Sequence, residues 1–331
     1  MSNHRIDVHA HALTPRYRSA LEAAGVDRIG GIPVPAWAPQ LATEFMDAHG
    51  IERQYLSLSD PGVDFLDRKS AAALAREVND ELAAIAVADE RFGAFAAVSL
   101  RDVDAACAEI SRALDALHLD GVGLLSSTCD GRYLGDPLFD SLLAELDPRG
   151  AWVFVHPTAV PADARPDYAI PNFIAEYPFD TTRTFISLLF NGAFDRHPRI
   201  RWHFAHGGGT LPMLRKRIET LATFAPLAVD ALGIPEGARD LDAGSAARAF
   251  ARSFFDTALV ADRPALLAVQ AMSGTERIVF GSDWPFAALM YGEGGDPQPA
   301  LGEVFGPAER RRIDHDNAYE ALLTNGSKTS A

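Results

Sequence analysis

Two histidines one residue apart, His9 and His11, lie in Ile6-Asp7-Val8-His9-Ala10-His11, whose apolar-polar alternation predicts a short strand. Side chains two apart on a strand project from one face, so both imidazoles point into one space. Neutral imidazole is the commonest protein ligand for a transition metal, and such a pair holds one ion if other ligands arrive from elsewhere. Alone, this is a chance H-x-H near a terminus. Three later segments answer it. Trp152-Val153-Phe154-Val155-His156 ends in a histidine, Trp202-His203-Phe204-Ala205-His206 runs into Gly207-Gly208-Gly209, and Ile278-Val279-Phe280-Gly281-Ser282-Asp283 ends in a carboxylate. Each metal-competent group closes a predicted strand. His203 faces away from His206 on an ideal strand and is read as structural. Asp256 ends another strand within reach of solvent, substrate or His206 and receives no role. His4, His49, His118, His197 and His315 fall near predicted turns, helix ends or surface and receive no chemistry.

The elements that must position these groups alternate. Predicted strands cover Ile6–His11, Arg53–Ser59, Phe92–Leu100, Gly121–Ser126, Trp152–His156, Ile200–His206, Ser253–Thr257 and Arg277–Ser282. Between them, Leu74, Val78, Leu82 and Ile85 mark one amphipathic helix, and Leu211, Leu214, Ile218 and Leu221 mark another. Asp180 is the expected N-cap of a helix through Phe185 and Leu189, which Asn191-Gly192 interrupts or ends. Eight strands with intervening helices predict a (β/α)8 TIM barrel as one domain over 1–331, with an insertion at about 14–48 after the first strand. An open doubly wound sheet is the competitor. A closed barrel brings all strand C-terminal ends to one face, where distant residues share an ion. The ligand pattern therefore favours closure.

The chain has 331 residues, 48% hydrophobic, with a formal net charge of -15. That balance argues against a nucleic-acid partner, because binding the phosphate backbone needs a basic face. Cys107 and Cys129 are expected to be reduced, and Cys107 shares an apolar stripe with Ile110, Leu114 and Leu117. With no secretory leader pattern and no apolar run long enough to span a bilayer, the expectation is a soluble cytoplasmic protein without a membrane partner.

With its ligand pattern the chain resembles the amidohydrolase superfamily. The similarity is to the branch containing aminocarboxymuconate-semialdehyde, γ-resorcylate and 6-methylsalicylate decarboxylases. It extends over nearly the full length and includes Met46-Asp47-Ala48-His49-Gly50-Ile51, Leu56-Ser57-Leu58-Ser59-Asp60-Pro61-Gly62, Gly131-Arg132-Tyr133-Leu134-Gly135-Asp136-Pro137, Phe179-Asp180-Thr181-Thr182-Arg183 and Gly281-Ser282-Asp283-Trp284-Pro285-Phe286. The resemblance implies that His9, His11, His156 and Asp283 bind one divalent metal, with His206 beside it as a catalytic residue. It also implies a homodimer. Many binuclear relatives carry a bridging lysine on strand four; here that strand reads Gly121-Val122-Gly123-Leu124-Leu125-Ser126. The absence of lysine favours a mononuclear site. The mixed shell suits zinc, with manganese as the alternative.

The expected substrate is a small aromatic carboxylic acid. Losing CO2 directly would leave an aryl anion, whereas protonating the carboxyl-bearing carbon first avoids it, and an ortho hydroxyl assists by releasing electrons into the ring. Asp283 is the expected proton donor, with His206 orienting the substrate or relaying the proton. A second route adds metal-bound hydroxide to the substrate with His206 as base. Arg183 is the candidate contact for a substrate oxyanion. Trp37, with Pro33, Pro35 and Pro39, belongs to the first-strand insertion, which forms either a lid or pocket wall or else a packing hairpin. Arg310-Arg311-Arg312 reads as a solvated helix face. The rival functions are a hydrolase of a lactone or cyclic amide, using the same ion, and an inactive barrel retained for binding.

Overall fold

Short segments rich in Val, Ile, Phe and Ala are buried on both faces here, as expected where helices cover a parallel sheet. The structure, a computed structural model, describes residues 4–158 and 169–323. Its strands, in chain order, are β1 Arg5–His11, β2 Arg28–Ile29, β3 Ile32–Pro33, β4 Ile51–Ser57, β5 Phe92–Ala97, β6 Gly121–Leu125, β7 Trp152–His156, β8 Arg201–Phe204, β9 Phe254–Asp256 and β10 Ile278–Val279. Apart from the β2–β3 hairpin they form one parallel sheet in the order β1-β4-β5-β6-β7-β8-β9-β10. Its edges meet. The Val8 N–H donates to Phe280 O at 3.1 Å, the Asp283 N–H donates to His9 O at 2.7 Å, and Ala10 bridges Trp284 in parallel. The architecture is a (β/α)8 barrel.

Closure requires a filled interior, because a small barrel is a packed core. Tyr55 and Phe95 stack with ring centroids 5.3 Å apart, Trp152 follows Phe95 at 6.4 Å, and Phe154 lies 4.8 Å from the His9 ring. Those aromatics form a floor beneath the histidines. A larger apolar layer lies between the strands and the helices, including Leu74, Val78 and Leu82 of the helix Arg68–Ala88. In the helix Leu211–Leu232, Leu211 and Ile218 are buried, Leu214 is partly buried, and Leu221 reaches solvent.

The expected insertion is a helix Pro15–Ala23, the β2–β3 hairpin and a helix Pro39–His49. Two other expectations change. Asp180 is not an N-cap, because the helix Glu176–Phe190 begins a turn earlier. Its fully buried carboxylate instead accepts from the hydroxyls of Ser126 and Ser127, pinning the helix to the end of β6. Asn191 does end that helix. Arg310 is not part of a solvated face: it ion-pairs with Asp296 at 3.0 Å and Asp314 at 2.7 Å, whereas Arg311 is exposed. Among the described residues no helix is long and apolar enough to cross a membrane.

Candidate metal centre and active site

β1 presents its two histidines from the closing seam of the barrel. The His9 Nε2 and His11 Nε2 atoms are 3.1 Å apart, and Asp283 Oδ1 lies 3.5 Å from the first and 3.1 Å from the second. His156, at the end of β7, completes a group in which one donor atom from each of the four residues lies within 4.8 Å of every other. All four are buried. Two ligands held ~2.1 Å from one zinc at a tetrahedral angle stand roughly 3.4 Å apart, so these spacings fit a shared cation. The structure thus brings together residues from β1, from the end of β7 and from the loop after β10.

Outer contacts determine which nitrogen faces inward. The His9 Nδ1–H donates to Asp256 Oδ2 at 2.9 Å, so Nε2 is the nitrogen that faces the cluster and would give its lone pair to a cation. Ser57 spends its hydroxyl proton on Ala10 O at 3.1 Å, so its oxygen accepts from the His11 Nδ1–H at 3.2 Å. His156 Nδ1 is buried without a hydrogen-bond partner. Burial, reinforced by neighbouring imidazoles, holds the His156 pKa well below its ordinary value, and burial lowers that of His11. Both shifts favour the neutral form that ligation requires. At His9 burial opposes charge, but Asp256 and Asp283 outweigh it and push the pKa up to about 10. Burial would raise the Asp283 pKa, but contacts with His11, His206 and His9 hold it well below the carboxylate range. The field that draws a second proton onto His9 also draws a cation.

The backbone that aims Asp283 and His206 is unusual. Both residues have a φ of 55°, a left-handed conformation that costs a side-chain-bearing residue energy and persists where its surroundings enforce it. His206 follows the end of β8, and its Nε2 is 3.6 Å from Asp283 Oδ2. Both ring nitrogens of His206 are buried and lack hydrogen-bond partners. Asp283 is secured through its neighbour: Asp7 accepts from the Ser282 hydroxyl at 2.6 Å and the Ser282 N–H at 3.0 Å, and also from Gln54 at 3.0 Å. Gly281 allows this approach. A Cβ there would lie 2.8 Å from His9 Cβ and 3.0 Å from Asp256 Cβ.

Over the cluster opens a cavity of about 240 Å³, walled by Ile29, Ile32, Phe173, Tyr177 and Phe286, with His156, His206 and Asp283 at its base. Pockets for drug-sized ligands span roughly 300–1,000 Å³, so this one suits a single-ring compound. The β2–β3 hairpin is thus pocket wall. Trp37 is buried in the outer core, and Arg183 is exposed; neither lines the cavity among the described residues. Asp256, to which the sequence alone assigns no role, also belongs to the site. Fully buried, it contacts His9 and His203 and accepts from the His206 N–H at 2.9 Å. The available signal was its position, a carboxylate ending a barrel strand.

The amidohydrolase family profile matches residues 6–323. The chain is 39% identical over 287 residues to a 6-methylsalicylic acid decarboxylase of Aspergillus aculeatus, covering 86% of this chain and 84% of that one. It is 30% identical over 296 residues to a γ-resorcylate decarboxylase of a Rhizobium species, covering 86% of each. A dihydroxybenzoic acid decarboxylase of Polaromonas sp. JS666, solved with manganese and 2-nitroresorcinol, shares the fold with a TM-score of 0.77 at 21% identity over 97% of each chain. The chain belongs to the amidohydrolase family, within its branch of decarboxylases, the carboxy-lyases.

Proposed function

We propose that the protein is a metal-dependent, non-oxidative decarboxylase of a salicylate-type acid, an arene carrying a hydroxyl ortho to its carboxylate. The observation that carries this reading is the meeting of four metal-competent donors and a free histidine at the base of an apolar, ring-sized cavity. His9, His11, His156 and Asp283 would hold one divalent cation, zinc by the nature of the donor set or manganese. When bound, that cation supplies the positive charge that holds the acid's carboxylate and neighbouring oxygen.

The remaining steps belong to the chain. Ile29, Ile32, Phe173 and Phe286 hold the ring and exclude water, which favours charged contacts below. Asp283, a carboxylate in the resting site, takes a proton relayed from His206, 3.6 Å away, and delivers it to the carboxyl-bearing ring carbon. The bond from that carbon to the carboxyl group then breaks, its electron pair restores the aromatic ring, and CO2 leaves. His206 then regains a proton from solvent after CO2 leaves, which balances the one proton that each turnover places on the ring carbon. Further proposals are a cytoplasmic location and a homodimer; exposed Met213 and Leu227 on the helix Leu211–Leu232 support the latter.

The test is to incubate metal-replete protein with a panel of ortho-hydroxybenzoates in D2O. Release of CO2 with deuterium at the vacated carbon is expected. Retention of the carboxyl group in every compound, with turnover of a lactone or cyclic amide instead, would replace this reading by the hydrolase.

A further inference from the structure

Asp256 lies in β9, off the cavity lining, yet its carboxylate reaches both halves of the site. Oδ2 accepts from His9 Nδ1–H and from His203 Nε2–H, each at 2.9 Å. Oδ1 accepts from the main-chain N–H groups of His206 at 2.9 Å and Ala258 at 3.0 Å. Four donors on a fully buried carboxylate leave it little freedom to rotate. His203 braces the arrangement from below, since its ring stacks on Phe154 at 4.6 Å and Phe154 contacts His9 at 4.8 Å.

We infer that Asp256 is a positioning residue that sets the metal-ligating nitrogen of His9 and the backbone of His206 through one carboxylate. Its Oδ2 holds the His9 proton on Nδ1, so Nε2 is left to face His11 and Asp283. Its Oδ1 anchors the left-handed residue from which the His206 ring is aimed. This rests on the metal reading above and extends it from the four donors to the group that orients one of them. Partners behind metal-bound histidines orient the ring, and their loss typically costs about 10- to 100-fold in metal affinity.

Asp256→Asn distinguishes this role from simple packing. The amide has one acceptor and one donor end. The two main-chain N–H groups require the acceptor, so the NH2 turns toward His9 and His203. His9 must then accept at Nδ1 and carry its proton on Nε2, inside the donor cluster, where it blocks ligation. Zinc affinity would be measured against a competing chelator on the full-length parent, on D256N and on His203→Phe. Long-range ¹H–¹⁵N spectra of the zinc-loaded parent would identify the protonated nitrogen of His9.

The expected results are protonation of His9 at Nδ1 in the parent, an affinity loss of about 10- to 100-fold in folded D256N, and a smaller loss in H203F. D256N binding zinc as tightly as the parent, or a parent His9 protonated at Nε2, would overturn the inference. If D256N fails to fold, the parent spectrum still decides. A parent that binds no zinc or manganese would instead bring down the metal reading itself.

Discussion

At the scale of single residues, the site depends on a few positions that admit no substitute. Asp283 is both a member of the donor group and the expected acid, so Asp283→Asn, nearly isosteric, should lower kcat by at least about 10²- to 10⁴-fold while leaving the circular dichroism spectrum intact. Turnover within a few-fold of the parent would remove Asp283 from the chemistry. Gly281 makes a different kind of demand. Its missing Cβ leaves room for His9 and Asp256, so Gly281→Ala should force apart the seam between β1 and β10. Overpacking of this kind costs about 1–3 kcal/mol, and thermal melting should show a lowered midpoint. An unchanged melting temperature would mean that the seam yields without cost. His11, His156, His206 and Asp283 stand out in the sequence because each sits at or just beyond the end of an apolar strand, and His9 because it lies two residues before His11 on the same strand face. Asp256 has the same placement, but its partners come from β1 and β8. Nothing local marks those contacts.

At the scale of elements, the strands are legible because each is a short apolar run, and their centres fall where the runs do. Their ends are less so. β8 stops at Phe204 and β10 at Val279, short of the expected ends, because His206 and Asp283 need left-handed turns that no ladder hydrogen bonding accommodates. Asp180 misled for a related reason: a carboxylate ahead of an apolar run resembles a cap, but tertiary hydroxyls claimed it. The insertion is legible in length and not in use. Its hairpin tip packs against the wall opposite, where a Cβ on Gly30 would meet Tyr177 Oη at 2.8 Å. Ile32 beside it lines the cavity. Ile32→Ala should therefore raise KM by about 10-fold for whichever ortho-hydroxybenzoate turns over, with little change in kcat, because trimming an apolar pocket removes binding common to ground and transition states. An unaltered KM would place the ring elsewhere.

At the scale of the whole molecule, barrel closure turns four separate sequence segments into one site. The seam where β1 meets the loop after β10 carries His9, His11 and Asp283 together, so the same hydrogen bonds that close the sheet also assemble the donors. Beneath them the interior is packed with aromatic side chains, and above them the cavity is walled mainly by apolar ones. The opposite end of the barrel is held by the ion pairs of Arg5 and Arg310 with Asp296 and Asp314. The parts of the sequence that resembled a chance H-x-H or a solvated arginine run thus acquire their meaning only when the sheet closes. The most direct test is to strip the protein with EDTA, confirm by elemental analysis that it is metal-free, and follow CO2 release from an ortho-hydroxybenzoate as zinc or manganese is added back. The expected result is no release from the stripped protein and a rise that saturates at one ion per chain. Undiminished CO2 release from the metal-free protein would contradict it.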